Sequence, residues 1–111
     1  MSMPNKGPPK PLCLKRRHLV TDEGAKYLRG RVEIKRPGEG TGAHVTEGKE
    51  EVLIVLEGTA TVQYGNAVLK VRAGYSFFIG QNILHNVRNA GRKRLRYVYV
   101  RSVAKGEKHH H

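Results

Sequence analysis

The chain has 111 residues, enough for one domain around a single core and too few for two of ordinary size. A lone cysteine, Cys13, excludes an internal disulfide, and thirteen glycines with no tryptophan point to short strands joined by tight turns. The formal net charge of +12 sits on the flanks: residues 1–31 carry eight Lys/Arg against two acids, residues 32–91 six against six, and residues 92–108 seven against one.

Basic flanks have two readings. One is a patch for nucleic acid, anionic lipid or a phosphorylated ligand. The other is a solvated surface rich in Lys and Arg. No aromatic residues alternate with the flanking charges as a stacking platform requires, so the solvated surface is preferred and nucleic acid is the weaker expectation. The longest apolar run, Val52 to Leu56, is too short to span a membrane. No basic start followed by a long apolar run reads as a signal peptide, so a cytoplasmic protein is expected. His109, His110 and His111 read as the remnant of a purification tag and are set aside.

Residues 1–11 hold four of the five prolines, with Lys6 and Lys10 between them, and read as an extended basic arm. A single domain is expected over residues 12–104, followed by a tail at 105–111. Leu14 to Val20 is a candidate first strand. Asp22 to Leu28 is a weak helical candidate, broken by Gly24. Residues 25–36 read as extended, with Val32 and Ile34 alternating against Arg31, Glu33 and Lys35. A loop at Pro37 to Gly40 leads to extended chain at Ala43 to Thr46. Glu51 to Glu57 is the strongest strand, and Thr59 to Tyr64 follows Gly58. Gly65-Asn66 supplies the positive φ of a two-residue hairpin, with Ala67 to Arg72 returning. Ser76 to Ile79, His85 to Arg88 and Leu95 to Ser102 complete the series. Such evenly spaced short strands predict an all-β sandwich or barrel. Val52 to Leu56 is apolar on both faces. One face can line the barrel, and the other needs a cover from the N-terminal segment or a second subunit, so a homodimer is expected.

The residues that carry chemistry are few. His44 and Thr46 share one face of their extended segment. Glu51 opens the next strand, and His85 begins a later one. Taken singly, a histidine is more often a structural hydrogen-bonding group than a ligand. The spacing changes that balance. Gly38, five residues, His44, one residue, Thr46, four residues, Glu51, six residues, Gly58 is followed by Gly74, five residues, Gly80, one residue, Asn82, two residues, His85, three residues, Asn89. These two runs resemble the two motifs of the cupin superfamily, in its small single-domain, RmlC-like members, and cover residues 38–89, about half of the chain.

The resemblance implies an all-β jelly-roll barrel, the double-stranded β-helix, of six to eight strands around a metal. Carried across residue by residue, it implies His44, Glu51 and His85 as metal ligands. Thr46 stands where the family usually has a second histidine in the first motif; Gly80 and Asn82 replace a usual proline and glycine in the second. A threonine hydroxyl is a poor ligand for a divalent transition metal. Two imidazoles and one carboxylate remain, a set that suits Fe, Mn, Ni, Zn or Co without distinguishing them, and three protein ligands leave positions open for water or substrate. Thr46 is a candidate to bond a water or substrate, as are Gln81, Asn82 and Asn86. Gly58 and Gly74 are expected to permit turns, and Asn89 to brace the turn after the His85 strand. Tyr97, Tyr99, Phe77 and Ile79 are expected in the core. Cys13, beside Lys15, Arg16 and Arg17, reads as an inert thiol.

No separate general acid or base is evident, and neither a nucleophile elbow nor a phosphate-binding glycine loop occurs. The expected function is that of a metal-dependent enzyme acting on a small polar molecule, dioxygenase-like or isomerase-like. The alternative is a non-catalytic barrel that binds or senses a small ligand, free of metal or with a structural one.

Overall fold

The structure, a computed structural model, describes residues 26–102. The proline-rich arm, Cys13, the candidate strand at 14–20 and the tail from 105 lie outside the described residues, as does most of the weak helical candidate. All described regular structure is strand: β1 (Leu28–Lys35), β2 (Glu51–Glu57), β3 (Thr59–Tyr64), β4 (Ala67–Arg72), β5 (Ser76–Ile79), β6 (His85–Arg88) and β7 (Leu95–Ser102). No helix among the described residues is long and apolar enough to cross a membrane.

The strands form two antiparallel sheets, a larger one in the order β1-β7-β2-β5 and a smaller one in the order β4-β3-β6. This is the jelly-roll arrangement the motifs imply. Strand alternation on β2 explains how the sheets meet. Leu53 and Val55 are buried against Ala60, Val62, Val71 and Val87 of the small sheet, while Val52 and Ile54 point the other way and stay 38 % exposed. Leu95 and Tyr97 of β7 complete the core between the sheets.

Turn chemistry fixes the joins. Gly65 has φ 58° and Asn66 is not in the positive-φ region, the pattern of a type II′ turn between β3 and β4. Gly58 has φ 81° where β2 gives way to β3, and a side chain there would run into the Arg94 carbonyl oxygen and come within 3.1 Å of Leu95 Cα. Asn89 is fully buried. Its Nδ2 donates to the carbonyls of Lys35 (2.9 Å) and Lys93 (2.7 Å), and its Oδ1 accepts from Gly91 N–H (3.0 Å). It braces the end of β1 as well as the turn after β6.

One expectation changes. Ala43 to Thr46 is not a strand. His44 alone pairs, exchanging backbone hydrogen bonds with His85 (2.9 and 3.0 Å), and left-handed Gly42 and Gly48 turn the chain away on either side. The alternation in β1 turns its charged residues toward a cavity. Val32 pairs with Val98 and joins Leu56 and Val100 in a cluster on the outer face of the large sheet. Glu33 and Lys35 face the interior.

Candidate functional site

A cavity of about 290 Å³ lies between the sheets over the β1–β7 side of the large one. Register places its walls. Glu51 is directly across from Arg101 on β7, and Tyr97 from Glu33 on β1, so these side chains share the inner face. Lys35 and Tyr99 join them on that face. From the opposite side come His85 and Val87 of β6, with Thr41 and His44 from the loop bridged to that strand. His44, Glu51 and His85, three segments apart in sequence, therefore line one cavity.

The two imidazoles are held in the same way. His44 Nδ1 is 2.9 Å from the Gly42 carbonyl and His85 Nδ1 is 3.0 Å from the Ile83 carbonyl. A carbonyl only accepts, so each bond assigns a ring proton to Nδ1, and in the neutral ring Nε2 keeps its lone pair. The rings lie 4.4 Å apart between centroids, tilted by 59°. His85 is 1 % exposed, and its Nε2 is buried without any hydrogen-bond partner. Burial lowers the His85 pKa, opposed by the Ile83 carbonyl and reinforced by His44, so the ring is kept neutral. Burial raises the Glu51 pKa, against the lowering fields of Arg101 and His44. Burial also raises Tyr97 and Tyr99.

These observations bear on a metal. The donor types fit one: two imidazoles whose Nδ1 atoms face carbonyls, the Nε2 of His85 being a buried orphan, and one carboxylate. The spacing is not closed. Among the described residues no three His, Cys, Asp or Glu side chains are gathered as a metal-holding group.

The four expected water or substrate contacts are placed elsewhere than on the cavity wall. Thr46 is buried, with its Oγ1 3.5 Å from the Lys49 carbonyl. Gln81 is exposed. Asn82 takes φ 65°, a left-handed conformation that asparagine tolerates better than most residues, and its Oδ1 accepts from Gly48 N–H (3.2 Å). Asn86 pairs with Gln63 across the small sheet and accepts from the Thr41 hydroxyl (3.2 Å). Gly80 uses the N–H that a proline would lack, donating to the Tyr64 hydroxyl at 3.1 Å. Conversely, the cavity gains Glu33, Lys35, Thr41 and Arg101, which the sequence reading did not single out, and Tyr97 and Tyr99, which it placed in the core. The charged alternation of β1 was the available signal for two of them.

The Cupin domain family profile (Cupin_2) matches residues 30–101. The mannose-1-phosphate guanylyltransferase RfbM of Salmonella typhimurium is 34 % identical over 86 residues, which is 78 % of this chain and only 18 % of that enzyme. The chain thus spans less than a fifth of that relative's length. Among solved structures, an RmlC-like cupin family protein with a double-stranded β-helix fold from Methanocaldococcus jannaschii superposes with a TM-score of 0.71 at 14 % identity, covering 98 % of this chain and 94 % of that one. A "predicted oxalate decarboxylase" from Thermotoga maritima gives 0.70 at 23 % identity, covering 78 % and 76 %. At these identities the structures establish the shared fold, and the profile match over most of the chain establishes the family. The chain belongs to the cupin superfamily and has its double-stranded β-helix fold.

Proposed function

We propose that the cavity is a divalent transition-metal site held by His44, Glu51 and His85, and that the protein is a metal-dependent enzyme acting on a small polar molecule. The buried, unpartnered Nε2 of His85 carries this reading. A lone pair sealed from water without a partner costs about 1–3 kcal/mol, and a cation is the partner that the neighbouring donors suit. A divalent ion there supplies Lewis acidity toward a substrate oxygen. The chain's own residues do the rest. The Gly42 and Ile83 carbonyls fix both ring orientations. The Glu51 carboxylate balances positive charge, and Tyr97 and Tyr99 present phenols that stay protonated and able to donate.

The test is metal analysis of tag-free wild type beside His85→Ala. Stoichiometric metal in the wild type and its loss in the variant are expected. No metal in either after loading with each of Fe, Mn, Ni, Zn and Co overturns the reading. It would leave the barrel as a metal-free binder of small ligands, which the ungathered spacing of the three donors favours. The second apolar face of β2, which needs a cover, supports a homodimer through the outer face of the large sheet. Val52, Ile54 and Phe78 leave that face 38 %, 38 % and 53 % exposed beside the Val32–Val98 cluster. Sedimentation of wild type and Ile54→Glu tests it, and a monomeric wild type refutes it.

A further inference from the structure

We infer that the molecule bound in this cavity is a small carboxylic acid whose carboxylate sits on Arg101. The inference rests on the cavity being the ligand site proposed above and names the class of ligand it takes.

The wall carries two cations, Lys35 and Arg101, against two carboxylates, Glu33 and Glu51. Lys35 is engaged, with its Nζ 3.9 Å from Glu33 Oε1. Arg101 is half-buried and directly across from Glu51, whose carboxylate lies within its field, yet it forms no hydrogen bond or ion pair with any described residue. It lines the cavity with a planar fork of donors that no described residue occupies, and a partly desolvated cation gains most from an anionic acceptor.

The geometry of that donor selects the ligand. A guanidinium fork matches the two oxygens of a carboxylate in one plane, making two parallel charge-assisted bonds. Lys35 pairs with Glu33 and Arg101 faces Glu51, so the wall is neutral as it stands. A carboxylate adds one negative charge to it, whereas a phosphate monoester adds nearly two beside Glu51. Volume sets the size. At roughly 30 Å³ per water-sized group, about 290 Å³ admits on the order of ten non-hydrogen atoms. That suits a short hydroxy or keto acid. The Tyr99 phenol, two residues along the same face of β7, supplies a second donor on the same wall.

The test titrates tag-free, metal-loaded protein with lactate, lactamide and inorganic phosphate, followed by ligand-observed NMR, for wild type, Arg101→Gln and Arg101→Lys. Lactate and lactamide have nearly the same shape and differ in charge. The ratio of their affinities reads carboxylate recognition, and comparing variants cancels whatever a metal contributes. The lactate-over-lactamide ratio is expected to fall at least about tenfold in Arg101→Gln and less in Arg101→Lys, which keeps the charge and loses the fork. A ratio that falls less than about threefold in Arg101→Gln overturns the inference, as does phosphate binding more tightly than lactate in an Arg101-dependent way. If Arg101→Gln does not fold, an unchanged ratio in Arg101→Lys overturns it. Metal content measured on the same samples separates the two proposals. Metal without an Arg101-dependent ratio sinks this one, and an Arg101-dependent ratio without metal sinks the metal site.

Discussion

His85→Leu isolates what the buried ring costs the fold from what it does for a metal. In the wild type the ring contributes one local bond from Nδ1 to the Ile83 carbonyl, worth about 1 kcal/mol net, and leaves Nε2 buried and unpartnered at a cost of about 1–3 kcal/mol. Leucine is similar in volume and removes both. The metal-free variant should therefore unfold within about 1 kcal/mol of wild type, on either side, whereas truncating a core leucine such as Leu53 to alanine costs about 2–5 kcal/mol. Adding metal should break the equivalence. At a hundred times the dissociation constant, wild type gains about 2.7 kcal/mol and the variant gains nothing. For a domain of this size that is a rise in Tm on the order of 10–20 °C. Urea and thermal unfolding, followed by tyrosine fluorescence with chelator or with metal, measure both halves. A metal-free cost above about 3 kcal/mol, together with no metal-dependent gain in the wild type, would show that His85 is a packing residue and refute the reasoning.

The remaining predictions concern pH and the braces of the barrel. Burial places the His85 pKa below its ordinary 6.5, so between that lowered value and 6.5 the unfolded chain binds more protons than the folded one, and stability rises with pH across this window. Metal-free wild type should thus lose stability as pH falls below 6.5, and His85→Leu should flatten that slope in chemical-denaturation midpoints. Glu51 works in the opposite sense. Its pKa is raised above 4.5, so between 4.5 and the raised value the folded state holds the extra proton, and stability falls as pH rises. Asn89→Ala removes three hydrogen bonds from a buried brace and should cost about 2–4 kcal/mol in urea unfolding; a cost below about 1 kcal/mol would mean water replaces them. Gly58→Ala and Gly74→Ala both force alanine into a left-handed conformation at about 1–2 kcal/mol. Only Gly58 also drives a Cβ into backbone, so Gly58→Ala should be clearly the worse of the two in the same assay.

How far the sequence carried the structure depends on what each signal encodes. The bounds of β2 to β7 were legible because glycines and period-2 runs mark both ends of each strand. Bringing His44, Glu51 and His85 to one cavity was legible through motif spacing, since no local rule connects residues on three separate segments. The wall formed by Glu33, Lys35 and Arg101 was not. Alternation on β1 shows that Val32 and Ile34 share one face and Glu33 and Lys35 the other, and burial arguments turn the apolar face inward. The register with β7 decides otherwise: Val32 meets Val98 while Glu33 meets Tyr97, and Tyr97 belongs to the inner face with Val55. A strand pattern gives two faces, but only pairing tells which face the barrel encloses.

The same distinction explains how a cupin can depart from its motifs and still keep two imidazoles in place. Each ring is oriented by a carbonyl two residues before it, Gly42 for His44 and Ile83 for His85, and the two segments are tied by their reciprocal backbone bonds. None of these contacts uses a neighbouring side chain. The departures fall on side chains that serve other bonds. Thr46 lies against the Lys49 carbonyl, Asn82 receives the Gly48 amide, and Gly80 spends its N–H on Tyr64. Substitution at 46, 80 and 82 therefore reshapes the loops beside the cavity without releasing either ring. Ring geometry set by the backbone and pocket chemistry set by side chains such as Arg101 can then change independently.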